Sequence, residues 1–116
     1  MTDVSRPARG EVWLVDLDPV RGHEQAGRRP ALVVSVDALN QSAAELAIVL
    51  PMTSRRKNVR SHVPVEPPEA GLDRTSYVKC EDVRSVSTTR LDRRLGVAGP
   101  ETLKSVEDRL RLLMGL

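Results

Sequence analysis

Residues 22–35, GHEQAGRRPALVVS, gather the side chains best suited to chemistry in this 116-residue chain. An imidazole (His23), a carboxylate (Glu24), a carboxamide (Gln25) and two guanidiniums (Arg28, Arg29) fall within seven residues. His23 titrates near neutrality and can act as acid or base. A glutamate can take a proton, and an arginine carries a permanent charge that pairs with carboxylate or phosphate. An apolar, β-branched run follows at once. Polar groups on a loop that runs into a buried strand are held by a rigid scaffold. Proline biases the residue before it toward extended backbone, so Arg29-Pro30 makes the Arg29 guanidinium leave the strand in a fixed direction.

A second cluster lies downstream. RRKNVR at 55–60 carries four cations in six residues, just after Thr53 and Ser54. Such a cluster suits a polyanion or an acidic peptide, or is a solvated basic loop. Net charge is only +2, but Lys and Arg number 18 and most are Arg, the type that pairs bidentately with phosphate. The one cysteine, Cys80, excludes an internal disulfide and argues against a cysteine zinc site. MTDVSRPARG has no apolar signal core, and no apolar run approaches the ~20 residues of a membrane span. These features predict a cytoplasmic protein without a membrane segment.

The length fits one domain, 1–116, with residues 1–9 as a loose leader. There is no Phe, one Trp and one Tyr, so the core must be aliphatic. Strands are predicted over 11–17, 31–36, 46–52 and 62–65. Another is predicted over 76–87, with a bend near Glu81–Asp82. Pro51 predicts an edge or bulge in the third. Residues 37–45 read as a polar connection with room for a helical turn. Pro67, Pro68 and Gly71 exclude regular structure over 66–74, and 88–99 reads as a basic turn. Pro100 opens a terminal helix, whose apolar face is Leu103, Val106, Leu110 and Leu113, and Gly115 stops it. Short strands followed by one helix predict a small barrel or curled antiparallel sheet. Trp13 and Tyr77 both fall inside strands and read as core rather than as stacking platforms.

Four segments together resemble the MazF/PemK/Kid family of toxin–antitoxin ribonucleases. They are EVWLVDLDPVRGHEQAGRRPALVVS (11–35), LPMTSR (50–55), YVKCEDVRSVSTTRL (77–91) and the terminal helix. The resemblance implies a mainly β fold with α, an SH3-like small barrel of the CcdB/Kid type with a C-terminal helix, working as a homodimer. It implies metal-independent, sequence-selective cleavage of single-stranded RNA, no cofactor, and inhibition by a separate acidic MazE-like antitoxin. Arg29 matches the family's catalytic arginine, Thr53 its catalytic threonine, and Glu24 the carboxylate implicated in some members. His23, Asp82 and Cys80 depart from the usual pattern, the first two on the substrate side in relatives.

The residues support that chemistry independently. Metal-free RNA cleavage uses the 2′-hydroxyl as nucleophile. It needs a proton acceptor, charge stabilisation on the phosphorane and protonation of the leaving oxygen. Arg29 suits the charge clamp better than a base, because it stays protonated. Thr53 can donate to a phosphate oxygen or simply cap the end of its strand. Glu24 can accept the proton or pair with Arg28 or Arg29. His23 can act as acid or base, or sit exposed and only touch RNA. His62 is structural or a phosphate contact. Gln25, Glu81 and Asp82 can read bases, while Arg28, Ser54, Arg55, Arg56 and Lys57 attract phosphate. Two other readings of the fold remain: a gyrase poison similar to CcdB, against which the ending LLMGL lacks a tryptophan, and a silent RNA-binding barrel.

Overall fold

The computed structural model describes residues 6–17 and 27–116. Among them, seven antiparallel strands form one curled sheet: β1 (Glu11–Asp16), β2 (Arg28–Val33), β3 (Leu46–Thr53), β4 (His62–Val65), β5 (Ser76–Lys79), β6 (Arg84–Ser87) and β7 (Leu91–Val97). One helical turn, α1 (Asp37–Asn40), joins β2 to β3, and α2 (Pro100–Met114) ends the chain. The strand order is β4-β5-β3-β2-β1-β7, with β6 also on β3. The predicted barrel is therefore barrel-like rather than closed.

The long strand β3 organises the site. One edge pairs with β2, in the register Ala31↔Pro51, Leu32↔Leu50 and Val33↔Val49. The other edge divides: β6 takes residues 46–49 and β5 takes Met52 and Thr53. Pro51 stands in the gap between those two ladders, where a residue without an N–H is best tolerated. The strand is thus central, and the predicted bulge is instead a change of partner.

Alternation sends the apolar side chains to two cores. Ala31, Val33, Ala47 and Val49 join Val15, Val86 and Leu91 on one face. Leu32, Leu50 and Met52 join Val12, Val63, Val65, Val78, Cys80 and Val106 on the other. Burial on both faces explains the unbroken apolar run in β2. Each fully buried aliphatic of this size contributes about 1.5–3 kcal/mol.

Helix α2 covers the second core with Val106, and Leu103 and Leu110 pack beside it. Pro100 occupies its first turn and Gly115 ends it in left-handed backbone (φ 71°). The predicted apolar face stops short of Leu113, which is 50% exposed and does not join the core. Leu112 (80%), Met114 (51%) and Leu116 (83%) face outward with it.

Residues 88–99 are not the expected turn. Thr88–Arg90 make one 3-10 turn, and Leu91–Val97 form β7, which pairs with β1 through two register shifts. Its exposed charges, Asp92, Arg93 and Arg94, hid the alternation. Likewise, Glu69–Gly71 form a 3-10 turn after a cis Pro67-Pro68 bond. That turn packs against β7. A Cβ on Gly71 (φ 70°) would lie 1.9 Å from the Leu95 carbonyl oxygen, and one on Gly96 would lie 2.4 Å from the Ala70 carbonyl carbon. Two glycines therefore let backbone meet backbone where the curled sheet draws shut.

Candidate functional site

Continuing the β2–β3 register by two residues from Ala31↔Pro51 places Arg29 opposite Thr53. Thr53 is in turn opposite Tyr77 on β5, and Tyr77 opposite Pro64 on β4. Facing residues of neighbouring strands share a sheet face. Arg29, Thr53, Tyr77 and Pro64 thus form one row across four strands. Lys79 and His62, the next facing pair, lie beside it.

Two cavities open on this face and meet at Arg29 and Thr53. The larger, about 710 Å³, is lined by Arg29, Thr53, Ser54, Arg55, Lys57, Val59, His62, Lys79 and Glu81. The smaller, about 270 Å³, runs the other way and includes Arg28, Arg29, Thr53, Ser54, Asp73 and Arg74. Arg29, Thr53 and Ser54 belong to both. Basic side chains dominate the junction, as an anion requires.

The Thr53 hydroxyl oxygen accepts the Arg55 backbone N–H at 3.1 Å. This is the strand-end cap anticipated from sequence, and it leaves the hydroxyl proton available to a ligand in the cleft. Both expectations for Thr53 are compatible in one geometry. Arg28 pairs with Asp92 at 3.3 Å, which steers it toward β7 and the smaller cavity. Ser54–Arg60 are exposed. The loop is pinned at its far end, where Arg109 of α2 donates to the Arg60 carbonyl at 2.8 Å and His62 N–H to the Val59 carbonyl at 3.0 Å.

Glu81 projects into the larger cavity from the turn after β5. The Ser61 hydroxyl donates to its Oε1 at 2.7 Å, and His62 Nε2 lies 3.0 Å from its Oε2. Burial alone would raise its pKa. Hydrogen bonds from Ser61, its own backbone and His62, with the His62 charge, outweigh burial and bring it below the ordinary glutamate value. Glu81 is therefore a carboxylate with two oriented oxygens. Neighbouring Asp82 does not line the cleft itself: it pairs with Arg84 at 3.1 Å and with the cleft residue Lys79 at 3.6 Å. Cys80, just before Glu81 in sequence, is buried in the core, and burial pushes its thiol up to about 11, against the Arg109 charge and with that of Glu81. It is an inert packing group at neutral pH.

The structure thus brings together Arg29, Thr53, Ser54, Arg55, Lys57 and Glu81, places Arg28 at the smaller cavity, and leaves Asp82 behind Lys79 rather than in the lining. Arg56 lines a third hollow beside the first. His23, Glu24 and Gln25 lie outside the described residues. Lys79 was not singled out from sequence, and Tyr77 was assigned to the core. In β5 the buried set is Ser76, Val78 and Cys80, so Tyr77 and Lys79 share the outer face. Alternation from Lys79, which must face out, would have revealed both. Trp13 is half-buried against the first core, and its indole N–H donates to Glu11 at 2.9 Å.

The fold and site define a class of protein: a small curled β-sheet with a terminal helix and a cationic cleft around an arginine–threonine pair. The pattern shared by the PemK-like, MazF-like toxins of type II toxin–antitoxin systems matches residues 8–114, and the chain belongs to that family. Endoribonuclease MazF9 of Mycobacterium tuberculosis is 37% identical over 113 residues, covering 93% of this chain and 96% of that protein. The crystal structure of MazF from Deinococcus radiodurans is similar with a TM-score of 0.82 and 32% identity, covering 97% of this chain and 99% of that one. A crystal structure of MazE-MazF from the same organism gives 0.81 and 33%, covering 97% and 98%.

Proposed function

We propose that this chain is the toxin of a toxin–antitoxin pair and a metal-independent, sequence-selective endoribonuclease acting on single-stranded RNA. The observation that carries this reading is the position of Arg29 and Thr53, side by side where two cavities of one basic face meet. A polynucleotide laid along that face passes both residues with its chain continuing on either side. The likeness to a named endoribonuclease over 93% of the chain supports the reaction class. The likeness to a MazE-MazF complex supports a MazE-like antitoxin as the inhibiting partner. The two-fold homodimer and the cytoplasmic setting complete the proposal, and family membership favours it over a gyrase poison.

The chemistry follows from the groups present. The 2′-oxygen loses its proton and attacks the adjacent phosphorus. The bond to the 5′-oxygen breaks, and that oxygen takes up a proton. The products are a 2′,3′-cyclic phosphate and a 5′-hydroxyl, with no water consumed. Arg29 stabilises the charge that builds on the phosphorane, and Thr53 donates to a non-bridging oxygen. Glu24 is assigned as proton acceptor, and His23 and Gln25 as substrate contacts. Arg55, Lys57 and Lys79 hold the flanking phosphates.

Purified protein is expected to cut a mixed single-stranded RNA at discrete positions in EDTA, leaving cyclic phosphate ends. Products with 3′-hydroxyl ends, or loss of activity in EDTA, would contradict the mechanism. Arg29→Ala and Thr53→Ala should each slow cleavage at least about 10²-fold, with an unchanged circular dichroism spectrum. Either variant cutting at the normal rate removes that residue from the mechanism.

A further inference from the structure

A third hollow, about 220 Å³, adjoins the larger cavity and shares its Val59 and His62 walls. Arg56, Asn58, Pro64 and Tyr77 complete it. We infer that this hollow is a nucleobase subsite: Tyr77 is the platform on which one unpaired base next to the cleaved bond stacks. The inference rests on the RNA-cleaving reading above and adds to it a specific recognition residue.

Three observations carry it. The first is register. Tyr77 faces Thr53 across one strand spacing, and Pro64 lies one strand further, at about 4.8 Å per step. A base attached to a phosphate held at Thr53 therefore reaches Tyr77 and cannot extend far past Pro64. The second is composition. Single-stranded RNA is recognised by stacking on aromatic rings or guanidinium planes, joined to polar groups that read base edges. Tyr77 and Arg56 provide both kinds of planar surface here. Asn58 holds Arg56 in place, its Oδ1 accepting from Arg56 Nε at 3.0 Å, and its amide remains to meet a base edge. The third is the loop. Asn58 adopts left-handed backbone (φ 54°), a conformation asparagine tolerates better than most residues, and this turn folds the basic loop back over β4 and β5. The hollow is well below the 300–1,000 Å³ of drug-sized ligand sites, which suits one flat ring system.

The test uses a short single-stranded RNA with one cut site and a series in which each nucleotide flanking the cut is made abasic in turn. With the wild-type protein, one abasic position within a nucleotide of the cut should raise KM by about 5- to 150-fold, the loss expected for one base–aromatic stack. Tyr77→Leu should show that same loss on the intact RNA and no further loss on the abasic one. Tyr77→Phe, which keeps the ring, should behave as wild type. If Tyr77→Leu still distinguishes the abasic RNA, or weakens every RNA equally, the subsite is wrong. If the wild-type protein cuts no RNA, the nuclease reading has failed separately. The subsite is then decided by the affinities of the same series made as 2′-O-methyl oligonucleotides, where the same pattern is required.

Discussion

Glu81 shows how a single side chain is prepared for a site. It stands at the start of a turn, yet Ser61, His62 and its own backbone fix its carboxylate, and its pKa falls below the ordinary value of 4.5. The folded state then binds this proton more weakly than the unfolded chain does. Stability from this residue is complete above the ordinary glutamate range and is lost as pH falls through 4.5 and below. Glu81→Gln should therefore flatten the acid side of a plot of Tm against pH and leave neutral pH little changed. An acid limb as steep as that of the parent would show that these hydrogen bonds do not survive in solution. Arg29 was singled out by its local setting before Pro30 and Thr53 by the family resemblance, and the cavities place both at one cleft. Lys79 comes to the cleft wall beside His62 only through β4–β5 pairing, which joins segments separated by the proline-containing stretch 66–74. No local pattern encodes that register.

At the scale of elements, most strands with buried alternation were readable. The single bent strand expected over 76–87 is two, β5 and β6, which pair with different parts of β3. Strand β7 was not readable at all. Its middle, Asp92-Arg93-Arg94, is exposed and charged on an outer strand, so a reader sees turn chemistry where the backbone is extended. β7 is held in the sheet by its ladder with β1, and the close approach of Gly71 and Gly96 to neighbouring backbone lets the 69–71 turn pack against it. Gly71→Ala should therefore be severe. It places a methyl group against the Leu95 carbonyl and a side chain in left-handed backbone. Overpacking of this kind costs about 1–3 kcal/mol or more. Urea denaturation should show the midpoint falling by that equivalent at constant slope. A midpoint unchanged from the parent would mean that the two segments do not touch. Gly115, also left-handed but with open space around it, serves as the control, since Gly115→Ala adds only backbone strain.

Across the whole molecule, charge is distributed unevenly despite a net value of +2. Away from the cleft, several arginines meet carboxylates: Arg9 with Glu107 at 2.6 Å and Arg94 with Glu11 at 3.1 Å. Among the described residues, Arg55, Arg56 and Lys57 have no carboxylate partner. They line the cleft or its adjoining hollow, so three cations without a carboxylate partner sit together where the proposed substrate lies. A two-fold dimer would bring two such loops to one assembly. The same surface would attract an acidic antitoxin segment that orders on binding, and inhibition would then be occlusion of the cleft. Reversing charge at Arg55, Arg56 and Lys57 together tests this. Affinity for uncleavable single-stranded RNA and for the cognate antitoxin should fall together. The slope of log affinity against log salt for RNA should decrease by about 1.4 or more, the loss of the Arg55 and Lys57 phosphate contacts on a single strand. If RNA affinity collapses while antitoxin affinity is untouched, the two partners do not share the cleft, and inhibition must act from another face of the molecule.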